Sequence, residues 1–194
     1  MQYIIMSEGK GTRWNNYLGI SKQEAEINGE RILDRTIRLL REMTYDPIYI
    51  SSINPKHENK NALRIVPHYI DYFHRKYVYE FLNQSTIYLY GDTFYNQEAI
   101  DIIINIETND VLFFGNEKAI IAVKVQDYIF FKKVIDELSD DRESLYHAFD
   151  KFGNNLNRFV NVGNTFKNIN TGLDYEELKK YVENSKKLEL KREL

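Results

Sequence analysis

Short apolar runs alternate along the chain with stretches in which apolar residues recur every three or four positions. The first run, Tyr3-Ile4-Ile5-Met6, is typical of a short buried strand, whereas the stretch from Glu30 to Met43 carries a helical stripe of apolar residues. The same pattern predicts strands over residues 3–6, 46–53, 63–67, 86–90, 110–115, 119–125 and 158–162, and helices over 30–43, 74–84, 97–107, 128–138, 142–152 and 175–187.

This alternation of strands and helices predicts an α/β fold with a mostly parallel sheet. Only Asn116-Glu117-Lys118 separates two of the predicted strands, which indicates a local hairpin and makes the sheet mixed. No repeat, low-complexity tract or interdomain linker interrupts the pattern. We therefore expect a single domain over residues 1–187, followed by a charged C-terminal tail, 188–194, that extends the last helix or frays.

Composition and charge exclude several classes of protein. The absence of cysteine excludes disulfides and thiolate metal sites and fits a cytoplasmic location. With a formal net charge of −3, the chain has no general attraction to nucleic acid or to an anionic membrane. No apolar stretch approaches the roughly 20 residues that span a bilayer, and the apolar N-terminus lacks the features of a signal peptide. Any phosphate must therefore be bound by a local loop.

The polar loop after the first strand is the strongest candidate for such a site. Gly9-Lys10-Gly11-Thr12-Arg13 follows the strand directly, and Lys22 lies nine residues beyond Arg13. Glycines let the backbone approach phosphate oxygens, a guanidinium offers them a planar fork, and a lysine adds a point charge. The spacing fits neither a Walker A loop nor a dinucleotide fingerprint. The alternative is a surface turn in which basic residues occur by chance.

The segment around this loop resembles the start of the nucleotidyltransferases, a family that includes sugar-phosphate, molybdenum-cofactor and isoprenoid-precursor types. The resemblance rests on Ile4 to Arg13, on Lys22-Gln23, and on Ile27-Asn28-Gly29 with the helix that follows. Two later segments match in order: Gly91-Asp92-Thr93, and the run from Asn168 to Tyr175 (NINTGLDY). The resemblance implies a Rossmann-like (GT-A type) three-layer sandwich, with helices on both faces of the sheet.

The chain departs from the family pattern at five positions. Ser7-Glu8 stands where small apolar residues are usual, and the negative charge of Glu8 lies next to the proposed phosphate loop. Gln23 follows the lysine where proline is usual, and Arg31 precedes the first helix where proline is common. Gly172 replaces a proline of the late segment.

The resemblance assigns roles to the matched residues. Gly9, Gly11 and Thr12 would wrap the β- and γ-phosphates of an NTP, and Arg13 would grip the departing pyrophosphate. Lys22 would lie at the α-phosphate, so that Arg13 and Lys22 are the catalytic candidates. Asp92 and Asn170 would hold Mg²⁺, which prefers oxygen ligands. Without the resemblance, Asp92 and Asn170 are equally well explained as turn residues.

The expected reaction is therefore the Mg²⁺-dependent transfer of an NMP from an NTP to a phosphorylated small molecule, with release of pyrophosphate. The resemblance favours CTP or UTP, and it favours a sugar phosphate or a polyol or alkyl phosphate as acceptor, for surface-polysaccharide synthesis. A homodimer is left open. The first alternative is a non-catalytic relative that binds nucleotide or a partner protein. The second is a glycosyltransferase, which Thr93-Phe94 after Asp92 disfavours because no D-x-D pattern is present.

Other polar residues carry weaker expectations. The four histidines show no metal-ligand spacing, so we expect them at the surface or satisfied in the interior: His57, His68, His74 and His147. His68-Tyr69 follows the third predicted strand, where the family often reads the base, and remains a lesser candidate for that contact. The segment 161–164 either lines the acceptor pocket or forms an ordinary strand end.

Overall fold

A seven-stranded mixed sheet forms the centre of the computed structural model, which describes residues 1–8, 11–68, 76–138, 145–152 and 156–192. The strands are β1 (Gln2–Met6), β2 (Glu26–Ile27), β3 (Glu30–Arg31), β4 (Ile48–Ser51), β5 (Leu63–Ile65), β6 (Thr86–Tyr90), β7 (Thr93–Tyr95), β8 (Val111–Asn116), β9 (Ala119–Val125), β10 (Phe159–Asn161) and β11 (Phe166–Asn168). The α-helices are α1 (Ile32–Met43), α2 (Gln97–Asn105), α3 (Tyr128–Asp136), α4 (Leu145–Lys151) and α5 (Gly172–Arg192).

The order of strands in the large sheet is β10-β8-β9-β6-β1-β4-β5. Strands β1, β4, β5 and β6 are parallel, and β10 is parallel to β8. Strand β9 runs antiparallel to both of its neighbours, β6 and β8. The short turn between β8 and β9 forms the predicted hairpin, so the expectation of a mostly parallel, mixed sheet is confirmed.

Alternate residues of the central strands pack into two separate cores, one on each face of the sheet. In β1, Ile5 joins the core under α1 and α2, whereas Ile4 joins the core under α3 and α4. In β6, Leu89 and Tyr88 divide between the faces in the same way. Because the described helices lie on both faces, the predicted three-layer α/β sandwich is confirmed.

Two small antiparallel pairs of strands were not predicted from the sequence pattern. Strands β2 and β3 form a two-residue hairpin, and β11 pairs with β7 beside the large sheet. Each has only two or three residues per strand, too short for a periodicity to register. A third, smaller core lies between these pairs and α5, and consists of Trp14, Ala25, Ile27, Ile32, Ile169, Tyr175 and Leu178.

The predicted helix over 74–84 is wrong for residues 77–84, and Lys76 is its only described residue that is α-helical. Val78 has a left-handed backbone (φ 46°), and only Tyr79–Phe81 forms a short 3₁₀ turn. The carbonyl of Tyr77 accepts a hydrogen bond from the Tyr88 hydroxyl at 2.9 Å, and the two rings pack edge to face. Burial of Tyr77 in the core therefore outweighs the local helical pattern. His74 lies outside the described residues.

The last helix, α5, extends as far as Arg192. Across the described part of the chain, no helix is both long enough and apolar enough to cross a bilayer.

Candidate active site

A cavity of about 600 Å³ opens at the carboxyl ends of β1 and β6. In parallel sheets this edge is where ligands bind, because loops from neighbouring strands converge there. The cavity brings together residues from distant parts of the chain: Met6, Glu8, Gly11, Thr12, Arg13, Lys22, Gln23, Lys76, Tyr90, Asp92, Lys118, Ala119, Ile120, Tyr146, Asn168 and Asn170.

The predicted phosphate loop forms one wall of this cavity. Gly11 has a φ of +61°, a conformation that favours glycine, and its carbonyl accepts the backbone N–H groups of Trp14 and Asn15. Thr12 and Arg13 line the cavity. Trp14 is buried in the third core, and its indole N–H donates to the carbonyl of Ile20 at 2.8 Å. The indole thus anchors the loop from behind. Gly9 and Lys10 lie outside the described residues.

Lys22 reaches into the cavity from a short 3₁₀ turn, Lys22–Glu24. Its side chain is only 9% exposed, and its Nζ donates to Asp92 Oδ2 at 3.1 Å. The two sequence candidates for phosphate binding and for metal binding are therefore direct neighbours.

Asp92 owes its position to the glycine before it. The Gly91 N–H donates to the Met6 carbonyl at 3.0 Å, and a Cβ on Gly91 would overlap the Ser7 hydroxyl. Glycine thus allows β6 to turn tightly over the end of β1, which brings Asp92 above that strand. Ser7 is small and buried, as this close approach requires, so its difference from the family pattern is tolerated.

Asn170 joins the cavity through the β7–β11 pair. The Thr93 hydroxyl donates to Asn168 Oδ1 at 2.8 Å, and the Ile169 N–H donates to the Asp92 carbonyl at 3.3 Å. The backbone N–H of Asn170 donates to Asp174 Oδ2 at 2.9 Å, which fixes the entry into α5. Asn168 and Asn170 both line the cavity, but only Asn170 was predicted from the sequence as a site residue.

Glu8 also lines the cavity, and its carboxylate accepts the backbone N–H of Ile53 just beyond β4. This contact ties the start of the phosphate loop to the β4–β5 loop, residues 52–62. A structural role for this glutamate therefore accounts for a charge that the family pattern lacks.

Part of the cavity lining is basic and aromatic, and this wall was not predicted from the sequence. Buried Lys76 places its Nζ 3.4 Å from the Tyr90 hydroxyl and 5.0 Å from the centre of the Tyr90 ring. That hydroxyl accepts the backbone N–H of Leu145 at 2.9 Å, and burial strongly raises the pKa of Tyr90. Exposed Lys118 and Tyr146 complete the wall. Lys118 lines the cavity because it belongs to the turn between β8 and β9, which lies at this edge of the sheet.

Neither the segment 161–164 nor His68 is among the described residues that line the cavity. The segment 161–164 forms a strand end, in which Asn161 Oδ1 accepts the N–H of Gly163 at 2.8 Å. His68 is exposed and away from the lining, and Tyr69 lies outside the described residues. His57 is a buried histidine with partners on both ring nitrogens, as expected for a satisfied interior residue.

The unusual residues at positions 31 and 172 have local structural reasons. Arg31 precedes α1, and its guanidinium pairs with Asp34 at 2.6 Å and donates to the carbonyls of Lys56 and Glu58. At Gly172, a Cβ would come within 2.7 Å of the Tyr17 ring. Glycine therefore replaces proline where an aromatic side chain lies flat against the start of α5.

Comparison with known proteins finds its matches among solved structures. No protein-family model matches the chain, and no curated protein matches it by sequence. A CTP:phosphocholine cytidylyltransferase from Streptococcus pneumoniae is similar with a TM-score of 0.64 at 16% identity, covering 93% of this chain and 98% of its own. An inositol-1-phosphate CTP transferase from T. maritima has a TM-score of 0.65 at 12% identity, with coverage of 89% and 90%. A nucleotidyl transferase from Methanothermobacter has a TM-score of 0.64 at 13% identity, with coverage of 95% and 98%.

These likenesses extend over nearly the whole of each chain. At such low identity they establish the fold, which is the one that the resemblance to nucleotidyltransferases implied. That resemblance is thereby confirmed at the level of the fold.

Proposed function

We propose that this protein is a Mg²⁺-dependent nucleotidyltransferase, which transfers an NMP from an NTP to a phosphorylated small molecule and releases pyrophosphate. One observation carries the proposal: Arg13, Lys22, Asp92 and Asn170, four residues named from the sequence, line one cavity at the ligand-binding edge of the sheet. CTP and UTP are the favoured donors. The named CTP-dependent activities of two structures with the same fold support a pyrimidine.

The triphosphate binds along the wall formed by the phosphate loop. Gly11 and Thr12 contact the β- and γ-phosphates, and Arg13 holds the oxygens that become pyrophosphate. Lys22 lies at the α-phosphate, where negative charge increases in the transition state. In this arrangement the protein supplies mainly orientation and charge neutralisation.

The residues present fit a magnesium ion that arrives with the nucleotide. Asp92 offers a carboxylate, of which Oδ1 has no hydrogen-bond partner among the described residues, and Asn170 offers an amide oxygen beside it. Among those residues, no group of three or more His, Cys, Asp or Glu side chains forms a complete metal site. The ion would therefore need phosphate oxygens and water as further ligands, and it would neutralise phosphate charge when bound.

The acceptor binds at the basic and aromatic wall, beside Lys76, Lys118 and Tyr146. Two ammonium groups suit a phosphate, and the tyrosine ring suits the body of a sugar, polyol or alkyl phosphate. A phosphate oxygen of the acceptor attacks the α-phosphorus and forms a new P–O bond. The bond from that phosphorus to the bridging oxygen of the β-phosphate breaks, and pyrophosphate leaves with the electron pair.

The first test is thermal stabilisation by CTP, UTP, GTP, ATP and dTTP with Mg²⁺. A ligand that binds the native state raises the melting temperature by mass action. We expect one NTP, a pyrimidine nucleotide, to stabilise the protein, with the effect reduced by EDTA and lost in Arg13→Ala and Lys22→Ala. Lys180→Ala, which removes an exposed lysine of α5, is the matched control.

Turnover is then measured as pyrophosphate release from the stabilising NTP with a panel of sugar, polyol and alkyl phosphates. Release that depends on an acceptor and is lost in Asp92→Asn supports the enzyme. Binding without release for any acceptor would favour a non-catalytic nucleotide-binding protein. If no NTP stabilises the folded protein, the loop does not bind triphosphate and the proposal fails.

A further inference from the structure

A buried histidine connects the turn that carries Lys22 to the β4–β5 loop. The His57 ring is 2% exposed, with Nε2 2.8 Å from the Ser21 hydroxyl and Nδ1 2.8 Å from the Ser52 hydroxyl. Ser21 directly precedes Lys22, whereas Ser52 follows β4. A second link runs parallel to the first, because Asn54 Nδ2 lies 3.4 Å from Glu24 Oε2.

The surrounding donors determine which ring nitrogen of His57 carries the proton. The Lys56 N–H donates to Asn54 Oδ1 at 3.0 Å, so the Asn54 group that faces the ring is the NH₂. This NH₂ lies 3.2 Å from His57 Nε2, which must therefore accept. The proton is on Nδ1, which donates to Ser52, and the one lone pair of Nε2 is shared between the Asn54 NH₂ and the Ser21 hydroxyl, whose proton the Glu24 carboxylate also attracts. The network is complete only with a neutral imidazole.

The Lys22 turn lies beside two cavities and is held by packing, by the Lys22–Asp92 pair and by hydrogen bonds. Lys22 and Gln23 line the main cavity and also a second one of about 380 Å³ on the other side of the turn. The turn also packs against α1, and hydrogen bonds add a second constraint on its position. The Ser21 N–H donates to Glu24 Oε2 at 3.1 Å within the turn, and the His57 and Asn54 contacts join the turn to the β4–β5 loop.

We propose that His57 is a positioning residue, which holds the Ser21–Glu24 turn so that the Lys22 ammonium remains at the reacting phosphate. The proposal rests on the proposed function, because it assigns His57 to the placement of a residue of that site. The same loop also binds Glu8 through the Ile53 N–H, so it anchors both segments of the phosphate-binding wall.

The charges around the ring favour its neutral form on balance. Burial lowers the pKa of His57, and so do the nearby Arg31 and Arg64, whereas Glu24 raises it. Lys56 pairs with Glu24 at 3.9 Å and so partly offsets that carboxylate. Protonation would place an N–H on Nε2, facing the Asn54 NH₂, and would end acceptance from Ser21. The turn is therefore expected to loosen in acid.

The test is a double-mutant cycle between His57 and Lys22. The measured quantity is the affinity for each of two probes, CTP and inorganic triphosphate, in the presence of Mg²⁺. His57→Asn preserves a group near Ser52 but removes the acceptor for Ser21, and Ser21→Ala removes the same bond from the other side. We expect each to weaken binding by roughly five- to tenfold, the effect of one lost hydrogen bond. In the Lys22→Ala background, His57→Asn is expected to have no further effect. Ser185→Ala, in α5, is the control.

His57→Gln is the conservative variant, because its longer amide reaches the position of Nε2 and can accept from Ser21. We expect it to recover most of the lost affinity. Additive losses in the cycle, or equal losses in His57→Asn and His57→Gln, would reduce His57 to a general structural residue and overturn the proposal.

NMR of labelled histidine and lysine side chains tests the same inference without any nucleotide. The expected result is a neutral His57 with its proton on Nδ1, and a Lys22 signal that moves in His57→Asn and Ser21→Ala but not in Ser185→Ala. An Nε2-protonated tautomer, or an unmoved Lys22 signal, would contradict the proposal. If the wild type binds neither probe while the Lys22 signal responds as expected, the proposed function fails and the positioning contact stands.

Discussion

The Lys22 ammonium and the Asp92 carboxylate, 70 residues apart in sequence, lie 3.1 Å from each other in the lining of the cavity. Each is the partner of the other in the structure, although the sequence suggested phosphate for one and Mg²⁺ for the other. Under the proposed function, nucleotide and metal bring a negative and a positive charge to the same place. Lys22 would then exchange the Asp92 carboxylate for a negatively charged phosphate, and Asp92 would exchange the Lys22 ammonium for the positively charged metal ion.

Removal of the lysine tests this exchange directly. We expect Lys22→Ala to weaken NTP binding by roughly 10- to 100-fold, because a charged hydrogen bond contributes about 1.5–3 kcal/mol. Isothermal titration calorimetry with CTP and Mg²⁺ measures the affinity, and Lys180→Ala is expected to leave it unchanged. Unaltered affinity in Lys22→Ala would show that the lysine serves only its ion pair with Asp92.

The glutamate beside the phosphate loop allows a test of charge in which the contact to Ile53 is kept. Glu8→Gln retains an oxygen that can accept the Ile53 N–H but removes the negative charge from the cavity wall. We expect nucleotide to bind about two- to fivefold more tightly, with a smaller gain at high salt because ions screen the repulsion. Titrations at two ionic strengths measure this. Weaker binding in Glu8→Gln would mean that the carboxylate charge itself contributes to the site.

The contact between Tyr17 and Gly172 predicts an unusual response to alanine. Glycine to alanine in the first turn of a helix usually stabilises a protein, but here the Cβ would come within 2.7 Å of the Tyr17 ring. We expect Gly172→Ala to lower the free energy of unfolding by about 1–3 kcal/mol, measured by urea denaturation. Leu173→Ala, at a 69% exposed neighbour, is the control.

Removal of the ring should relieve that effect. In a Tyr17→Ala background, Gly172→Ala is expected to cost little or to stabilise. An equal loss of stability in both backgrounds would rule out the steric explanation.

The buried histidine also makes stability depend on pH. Burial lowers the pKa of His57 below the 6.5 of the free side chain, so in mild acid the unfolded chain binds a proton that the folded chain does not. Stability therefore falls as the pH drops below that value. Urea denaturation from about pH 8 to about pH 5 is expected to show a steeper decline in the wild type than in His57→Gln. Equal slopes would mean that the folded protein protonates His57 as readily as the unfolded chain does.

The fold followed from the sequence because its elements are set by local patterns. Strands such as β1 and β9 are mainly apolar runs between polar turns, and all the buried apolar residues of α1 except Ile32 face one core. The glycines and basic residues after β1 were recognisable for a similar reason, since their spacing is local. Short or strained segments were not recognisable from the sequence. Strands β7 and β11 and the turn at Val78 depend on contacts with distant residues.

The sequence by itself therefore determined the layered fold, and it supplied the candidates for the phosphate loop together with Asp92 and Asn170. Only the tertiary structure decided that Lys22 pairs with Asp92, that Lys76 and Lys118 join the same cavity, and that His57 connects two loops. Periodicity and capping depend on neighbours within a few residues, and a sequence displays these directly. Contacts across the sheet edge depend on strand order and on side-chain direction, which the chain acquires only when the whole sheet has formed.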